Sequence, residues 1–243
     1  MAEVHPVSSS AQLTLLPWLL GWEPPADRTR FAAGLHAGSA VGLALALRQD
    51  LAHLGTTDAG RLVLATVPAA AVGAVAHDAV ERRLGRPGPT AALLALGGLA
   101  LWWADRRDGR RTGRRDGGRT GWTGGDVAAA AVAQVPALAP GVSRTGATLT
   151  ALRARGLDRA SAYRLSLLLS LPVTAGAAAL TAVRGGALPP AVPTALAGGS
   201  AYLSARLLRP TSGTVTGAVA YRLLLAAAVT ANRRPGTTDE ERG

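Results

Sequence analysis

The 243-residue chain has no cysteine, one methionine and one phenylalanine, and its 26 basic residues are all arginine, since no lysine occurs. Without cysteine there is no disulfide framework and no thiolate metal site, and the redox compartment leaves no trace. Without lysine, any lysine-based site is excluded. The phosphate-binding Gly-x-x-x-x-Gly-Lys-Ser/Thr loop, the His-Glu-x-x-His zinc motif and the Gly-x-Ser-x-Gly elbow are all missing. Aromatic residues make up only 4% of a chain that is 48% hydrophobic. Alanine, leucine and valine carry the apolar mass, whereas a soluble core of this size draws more on Phe, Tyr, Ile and Met. Helices packed closely through Ala and Gly in lipid need no such bulk.

What the chain does have is a series of long uncharged runs. They cover 31–47, 62–76, 87–104, 127–142, 165–183 and 185–205, and a further run, 211–232, contains the single charge Arg222. A helix crosses the hydrocarbon core with ~20 mostly apolar residues, in a range of about 17 to 25. One such run fits a buried helix of a soluble protein, but a series this long favours the bilayer. The arginines that give the formal net charge of +11 sit between the runs. The stretch from Asp105 to Gly118, with three Arg pairs and several glycines, reads as a solvated cytoplasmic loop obeying the positive-inside rule. Nucleic-acid binding would call for aromatic or motif support that this stretch lacks.

The 127–142 run is interrupted by Pro136 and by Pro140-Gly141. Proline removes a backbone donor and turns the preceding residue away from helix. We therefore read 127–139 and 143–154 as two half-helices of a re-entrant hairpin, with 140–142 at its tip. A partial counterpart stands at the N-terminal end, where Val7-Ser8-Ser9-Ser10-Ala11 lines up with Val142-Ser143-Arg144-Thr145-Gly146. Broken helices in corresponding halves mark a site at a repeat interface near the midplane. The fold class expected is thus an all-α integral membrane protein with about six transmembrane helices plus re-entrant half-helix hairpins in an inverted repeat. It forms one polytopic domain: residues 1–104 are the first repeat, 105–125 the Arg/Gly-rich loop, 126–232 the second repeat and 233–243 a polar tail.

The densest cluster of polar groups is Pro140 to Thr148, a turn that opens a helix. Unpaired N–H groups at a helix start attract phosphate. Gly141 and Gly146 allow close backbone approach. Ser143, Thr145 and Thr148 supply hydroxyls, and Arg144 a permanent cationic fork. A serine N-cap beside a snorkelling arginine is the plain alternative. Arg222, inside an apolar run, must face the bundle interior and is a functional candidate on that ground. Glu3, just before the Ser8-Ser9-Ser10 turn, could hold a cation or act as a base. Arg164 reads as an interface anchor.

These segments resemble the undecaprenyl-diphosphate phosphatases of the bacitracin-resistance type (BacA/UppP). Glu3 to Leu13 is similar to the family's Glu-Phe-Leu-Pro-Val-Ser-Ser-Ser-Gly-His-Leu segment. Pro140 to Thr148 is similar to its Pro-Gly-x-Ser-Arg-Ser-Gly-Ala-Thr motif, with Thr145 for Ser, and Gln134 also fits. Tyr163 to Pro172 and Tyr221-Arg222 resemble two further stretches. The resemblance implies hydrolysis of undecaprenyl diphosphate to undecaprenyl phosphate for cell-wall synthesis, and so bacitracin resistance. It implies a bacterial plasma membrane, a pocket open to the outer face, and a divalent cation, Mg²⁺ or Ca²⁺. Carried over residue by residue, Glu3, Ser9, Ser143 and Arg144 are the catalytic candidates, and Glu3 is the metal candidate. Gly141, Ser143, Arg144, Thr145, Thr148 and Arg222 are expected to bind the diphosphate, with the nucleophile open between Ser9 and a water. Two departures stand out. The family has a further Glu about four residues before Glu3, so the first repeat reads as incomplete at its N-terminus. Gln12 replaces the family's His, and glutamine takes no proton at neutral pH. A polyprenyl-phosphate transporter or flippase, and a catalytically weakened polyprenyl-diphosphate binder, are the alternative readings. The partners expected are the lipid substrate and the membrane, not nucleic acid. Whether the chain pairs as a homodimer is left open.

Overall fold

The computed structural model describes residues 4–23, 27–112, 118–185, 190–207 and 211–232. Among the described residues the chain is helical throughout, and its only sheet-like contact is an isolated bridge between Arg119 and Leu157. The helices are α1 (Ser9–Leu20), α2 (Arg28–Ala46), α3 (Arg48–Ala52), α4 (Thr56–Leu64), α5 (Val67–Leu84) and α6 (Pro87–Thr112). They are followed by α7 (Gly124–Gln134), α8 (Arg144–Ala154), α9 (Arg159–Gly185), α10 (Ala191–Leu207) and α11 (Ser212–Asn232). Local chemistry sets several starts. Asp27 caps α2 by accepting from the Arg30 N–H at 2.9 Å. Thr123 and Asp126 form a reciprocal capping box on α7.

Among the described residues three helical stretches are long and apolar enough to cross a membrane: Thr56–Leu84 taken through its bend, Arg159–Ala179 and Gly213–Asn232. On α5 only Ala69 is buried, and Val67, Val72 and Val75 are exposed. An apolar helix with so little protein cover is suited to lipid. By contrast α1, α7 and α8 hold 12, 11 and 11 residues. At 1.5 Å per residue they reach ~16–18 Å, about half the hydrocarbon core.

Two short helices joined by a turn stand where the hairpin was expected. α7 ends at Gln134, a 3-10 turn follows over Pro136–Leu138, and α8 starts at Arg144. Its tip presses on α6 so closely that a Cβ at Gly141 would overlap the Thr90 carbonyl and lie 3.0 Å from the Leu94 nitrogen. Gly141 has φ 102, so glycine is required twice over. The polar stretch read as a loop begins as helix, because α6 runs past Ala104 to Thr112. Asp105 is the reason that helix can continue. It is buried, and it accepts from Arg153 Nε at 3.1 Å and Arg159 Nε at 2.7 Å, which ties α6 to α8 and α9.

Glycine also governs the packing of α2 on α10. A Cβ at Gly38 would overlap the Thr194 carbonyl, and one at Gly42 would overlap that of Gly198. The matched order of these contacts makes α2 and α10 parallel. In lipid such close approach substitutes for a hydrophobic driving force. Two apolar clusters result. The larger joins Leu43, Leu101, Leu149, Leu165 and Val219, and the smaller sets Ala11 and Leu15 of α1 against Leu94, Leu225 and Val229.

Candidate functional site: two serine turns and a buried arginine

Among the described residues only Ser8 and Ser143 combine a side chain with positive φ, and both have φ 67. Each caps the helix that follows it. Ser8 Oγ accepts from the Ala11 N–H at 3.4 Å, and Ser143 Oγ accepts from the Gly146 N–H at 3.2 Å. The short sequence similarity between the two segments therefore extends to backbone conformation. Residues held at such angles by their surroundings concentrate at functional sites.

Arg222 lies against the second turn. It is 0% exposed, and its Nη2 donates to the carbonyls of Gly141, at 3.0 Å, and Val142. Among the described residues its buried Nε and Nη1 meet no hydrogen-bond partner. A slot of glycines holds the guanidinium. A Cβ at Gly97 would lie 3.1 Å from Nη2, and one at Gly146 would lie 3.0 Å from Nη1. Gly98 lets α11 close on α6, since its Cβ would meet the Arg222 Cβ at 3.4 Å. The preceding residue, Tyr221, accepts a hydrogen bond from Gln12 Nε2 of α1 at 3.2 Å. Consecutive residues of α11 thus join the helices opened by the two serine turns. A buried cation with unused donors, beside a helix start, suits a tetrahedral oxyanion such as phosphate.

The family model described as bacitracin resistance protein BacA matches residues 1–228. The chain belongs to the BacA family. It is 39% identical over 189 residues to the undecaprenyl-diphosphatase of Desulforudis audaxviator, covering 73% of this chain and 69% of that one. It is 37% identical over 196 residues to that of Geobacter metallireducens, covering 74% and 70%. For the Moorella thermoacetica protein of the same name the identity is 33% over 191 residues, covering 74% and 70%. The resemblance read from the motifs is thereby established. With its apolar helices, this BacA member is a bacterial membrane protein.

The residues singled out in the sequence fall into distinct environments. Gly141 and Gly146 lie against Arg222, and Ser143 lies against Gly146. Ser9 opens α1 beside the buried Ser8 and is partly exposed, as is Arg144 at the start of α8. Thr145 is buried. Thr148 is 1% exposed, and its hydroxyl bonds Ser166 Oγ at 3.0 Å and the Arg144 carbonyl at 3.0 Å, so it joins α8 to α9. Gln134 donates to the Ala65 carbonyl at 3.0 Å, where α4 bends into α5. Glu3 lies outside the described residues. The described residues of the site offer hydroxyl, amide and guanidinium groups but no carboxylate. Among the described residues no cluster of three or more His, Cys, Asp or Glu side chains could hold a metal. A hard divalent cation requires oxygen ligands, usually carboxylates. This donor set is suited to an anion, and it does not by itself fit the implied cation.

Several contributors escaped the sequence reading. Gly97 and Gly98 look like ordinary small-residue packing, and only the position of Arg222 gives them a role. The partnership of Gln12 with Tyr221 spans 209 positions of sequence and leaves no local signal. Asp126 was detectable, because Thr123-x-x-Asp126 is a capping-box spacing. It is 0% exposed and also accepts from Arg119 at 2.8 Å and Arg155 at 2.6 Å.

Proposed function

We propose that this chain removes the terminal phosphate of undecaprenyl diphosphate, leaving undecaprenyl phosphate for reuse in cell-wall synthesis and so conferring bacitracin resistance. The name shared by its relatives supports the substrate. The observation that carries the reading is the buried Arg222 guanidinium, fixed at one nitrogen and unused at two, beside the Ser143 cap. In this reading the diphosphate lies at the start of α8, and Arg222 and Arg144 neutralise charge on its oxygens. A water attacks the terminal phosphorus and inorganic phosphate forms directly, or Ser9 Oγ attacks it and water then hydrolyses the phosphoserine to inorganic phosphate; on either route the bond to the bridging oxygen breaks and undecaprenyl phosphate leaves. Preorganised donors of this kind act where charge grows in the transition state. Glu3 and a Mg²⁺ or Ca²⁺ ion remain part of the proposal, tested by metal dependence.

The same reading sets the architecture as a multi-pass protein of the bacterial plasma membrane. α2, α4 with α5, α6, α9, α10 and α11 make six crossings. The α7–α8 hairpin and α1 form the re-entrant elements of an inverted repeat. The packing of the two short helices supports this. α1 runs from Gln12, beside Tyr221, toward the Leu94 and Val229 end. α8 runs from the Arg222 slot toward Asp105, at the other end of α6.

Phosphate release from undecaprenyl diphosphate in detergent, where transport cannot occur, tests the function. Release by the parent, its loss in Arg144→Ala and Arg222→Met, and its suppression by a chelator are expected. Tight binding without release would replace hydrolysis by the binder or transporter reading, which the paired turns also accommodate.

A further inference from the structure

The arginines are not shared evenly between the two ends of the bundle. Contacts of Asp105 with Arg153 and Arg159, Asp126 with Arg119 and Arg155, and Asp50 with Arg164 place the ends of α3, α6, α7, α8 and α9 at one end. Arg106 and Arg107 belong to the same end of α6, and there arginines outnumber carboxylates. At the opposite end, Arg28, Arg30, Arg82, Arg83 and Arg86 stand with Glu23, Asp27, Asp78 and Glu81, so the excess there is small. Tryptophans stand with the excess. Arg106 lies 4.4 Å over Trp102, Arg107 4.9 Å over Trp103, and Arg164 5.9 Å over Trp122. Tryptophan and arginine together mark the headgroup level of a bilayer.

Within this collar one group is prepared for a ligand. Asp126 is wholly buried, and Arg155 reaches it through Nε alone, at 2.6 Å. Among the described residues the two terminal nitrogens of Arg155 make no hydrogen bond. The side chain is 43% exposed, so this fork faces outward while its stem is held. Arg119 is fixed by the same carboxylate and is 42% exposed. Arg61 joins them. Its Cζ lies 3.7 Å from where a Cβ of Gly124 would be, and Arg155 Nη2 lies 3.1 Å from the corresponding point on Gly125. Arg61 and Arg155 therefore lie over a glycine pair that adds no bulk, and Arg119 shares Asp126 with Arg155. Asp126 and Asp58 offset only part of their charge.

We propose that Arg61, Arg119 and Arg155 hold the phosphodiester headgroup of an anionic phospholipid from the leaflet at this end, with Trp122 beside it at the level of the acyl ester region. The occupant follows from the surroundings. A planar fork with free donors recognises phosphate oxygens in pairs, and an anionic leaflet presents those oxygens at the depth where the tryptophans sit. The site is separate from the Arg222 slot, and the assignment stands whether or not the chain hydrolyses a diphosphate.

The test uses the full chain in detergent with Trp18→Phe and Trp22→Phe, which leaves the three collar tryptophans as reporters. Dibrominated phosphatidylglycerol or phosphatidylcholine is titrated in, and quenching gives an apparent affinity for each. Phosphatidylglycerol should bind more tightly, and the preference should fall about fivefold for each of Arg61→Gln and Arg155→Gln. Arg82→Gln with Arg83→Gln, at the opposite end, should leave it unchanged. Arg155→Lys, which keeps the charge but not the planar fork, should retain only part of the preference, and an unaltered unfolding temperature in each variant guards against mere misfolding. Equal quenching by both lipids in the parent, or an equal loss in the Arg82 and Arg83 variant, would overturn the proposal. Displacement by millimolar inorganic phosphate as effective as by phosphatidylglycerol would replace the lipid by a free anion.

Discussion

Adding one methyl group at Gly146 tests whether the position of Arg222 matters. An alanine Cβ there would lie 3.0 Å from Arg222 Nη1 and 3.3 Å from Ser143 Cβ and Oγ. Relaxed non-bonded contacts lie nearer 3.5–4.0 Å, so the guanidinium must withdraw by roughly 0.5 Å, and the far end of a long side chain can do so. Gly146 sits in the first turn of α8, where alanine raises helix propensity by up to about 1 kcal/mol. That gain offsets much of the crowding, and the unfolding temperature should change little. Function should not be so tolerant, because a site must be held within about 0.5 Å of its productive geometry. A misplacement of ~1 Å can lower a rate about a hundredfold. For Gly146→Ala we expect phosphate release in detergent to fall about tenfold in kcat with an unaltered unfolding temperature. Parental turnover by a folded Gly146→Ala would refute the claim that Arg222 acts through its fixed position.

Three other outcomes follow from the same contacts. Tyr221→Phe removes the acceptor of Gln12 and should lower stability by about 1 kcal/mol, with turnover reduced several-fold because α1 loses its tie to α11; turnover and thermal unfolding measured together check this. Asp105→Ala leaves Arg153 and Arg159 buried without their carboxylate and should destabilise the chain by about 3–5 kcal/mol, read as lost expression and a lowered unfolding temperature. At Asp126, burial works against ionisation, but hydrogen bonds from Arg155, Thr123 and Arg119 outweigh it and hold the carboxyl well below the usual carboxylate range. The folded value is depressed, so its stabilisation is complete above the unfolded carboxylate pKa of about 3.9 and is lost as pH falls below that toward the folded value. Asp126→Asn should therefore lower the unfolding temperature at pH 7 and flatten its fall between about pH 4 and pH 2.

The parts of the fold legible in the sequence were those set by local chemistry. Pro140-Gly141 marks the hairpin tip because proline breaks a helix and glycine accepts φ 102. Arg222 was expected to face inward because a charge in an apolar run has nowhere else to go. What escaped depends on contacts between distant segments. The stretch after Ala104 looked like loop because its charges seemed free, yet Asp105 pairs with Arg153 and Arg159, 48 and 54 positions away. The same limit hid Gly97 and Gly98, whose value lies in what α11 brings against them. The run at 62–76 is displaced into α4 and α5 because the helix bends at Ala65 and Thr66, where Gln134 takes up the Ala65 carbonyl.

The two serine turns bear on the choice between hydrolysis and transport. A serine N-cap ordinarily sits in the extended region without strain, yet Ser8 and Ser143 both stand at φ 67, at a cost of order 1–3 kcal/mol each. At Ser143 the strain has an evident use, since that φ helps orient the preceding peptide, whose Val142 carbonyl meets Arg222. Where α11 offers Arg222, α6 faces it with Gly97 and Gly98. Of the two backbones of one shape, the second holds the buried Arg222 at its carbonyls. A carrier that passes phosphate between equivalent halves gains nothing from fixing its cation at one of them. A hydrolase gains directly, because the phosphate must rest in one place while the nucleophile approaches from another. In the proposed reaction the second turn with Arg222 is the resting place, and the first turn, with the partly exposed Ser9, is the side of approach.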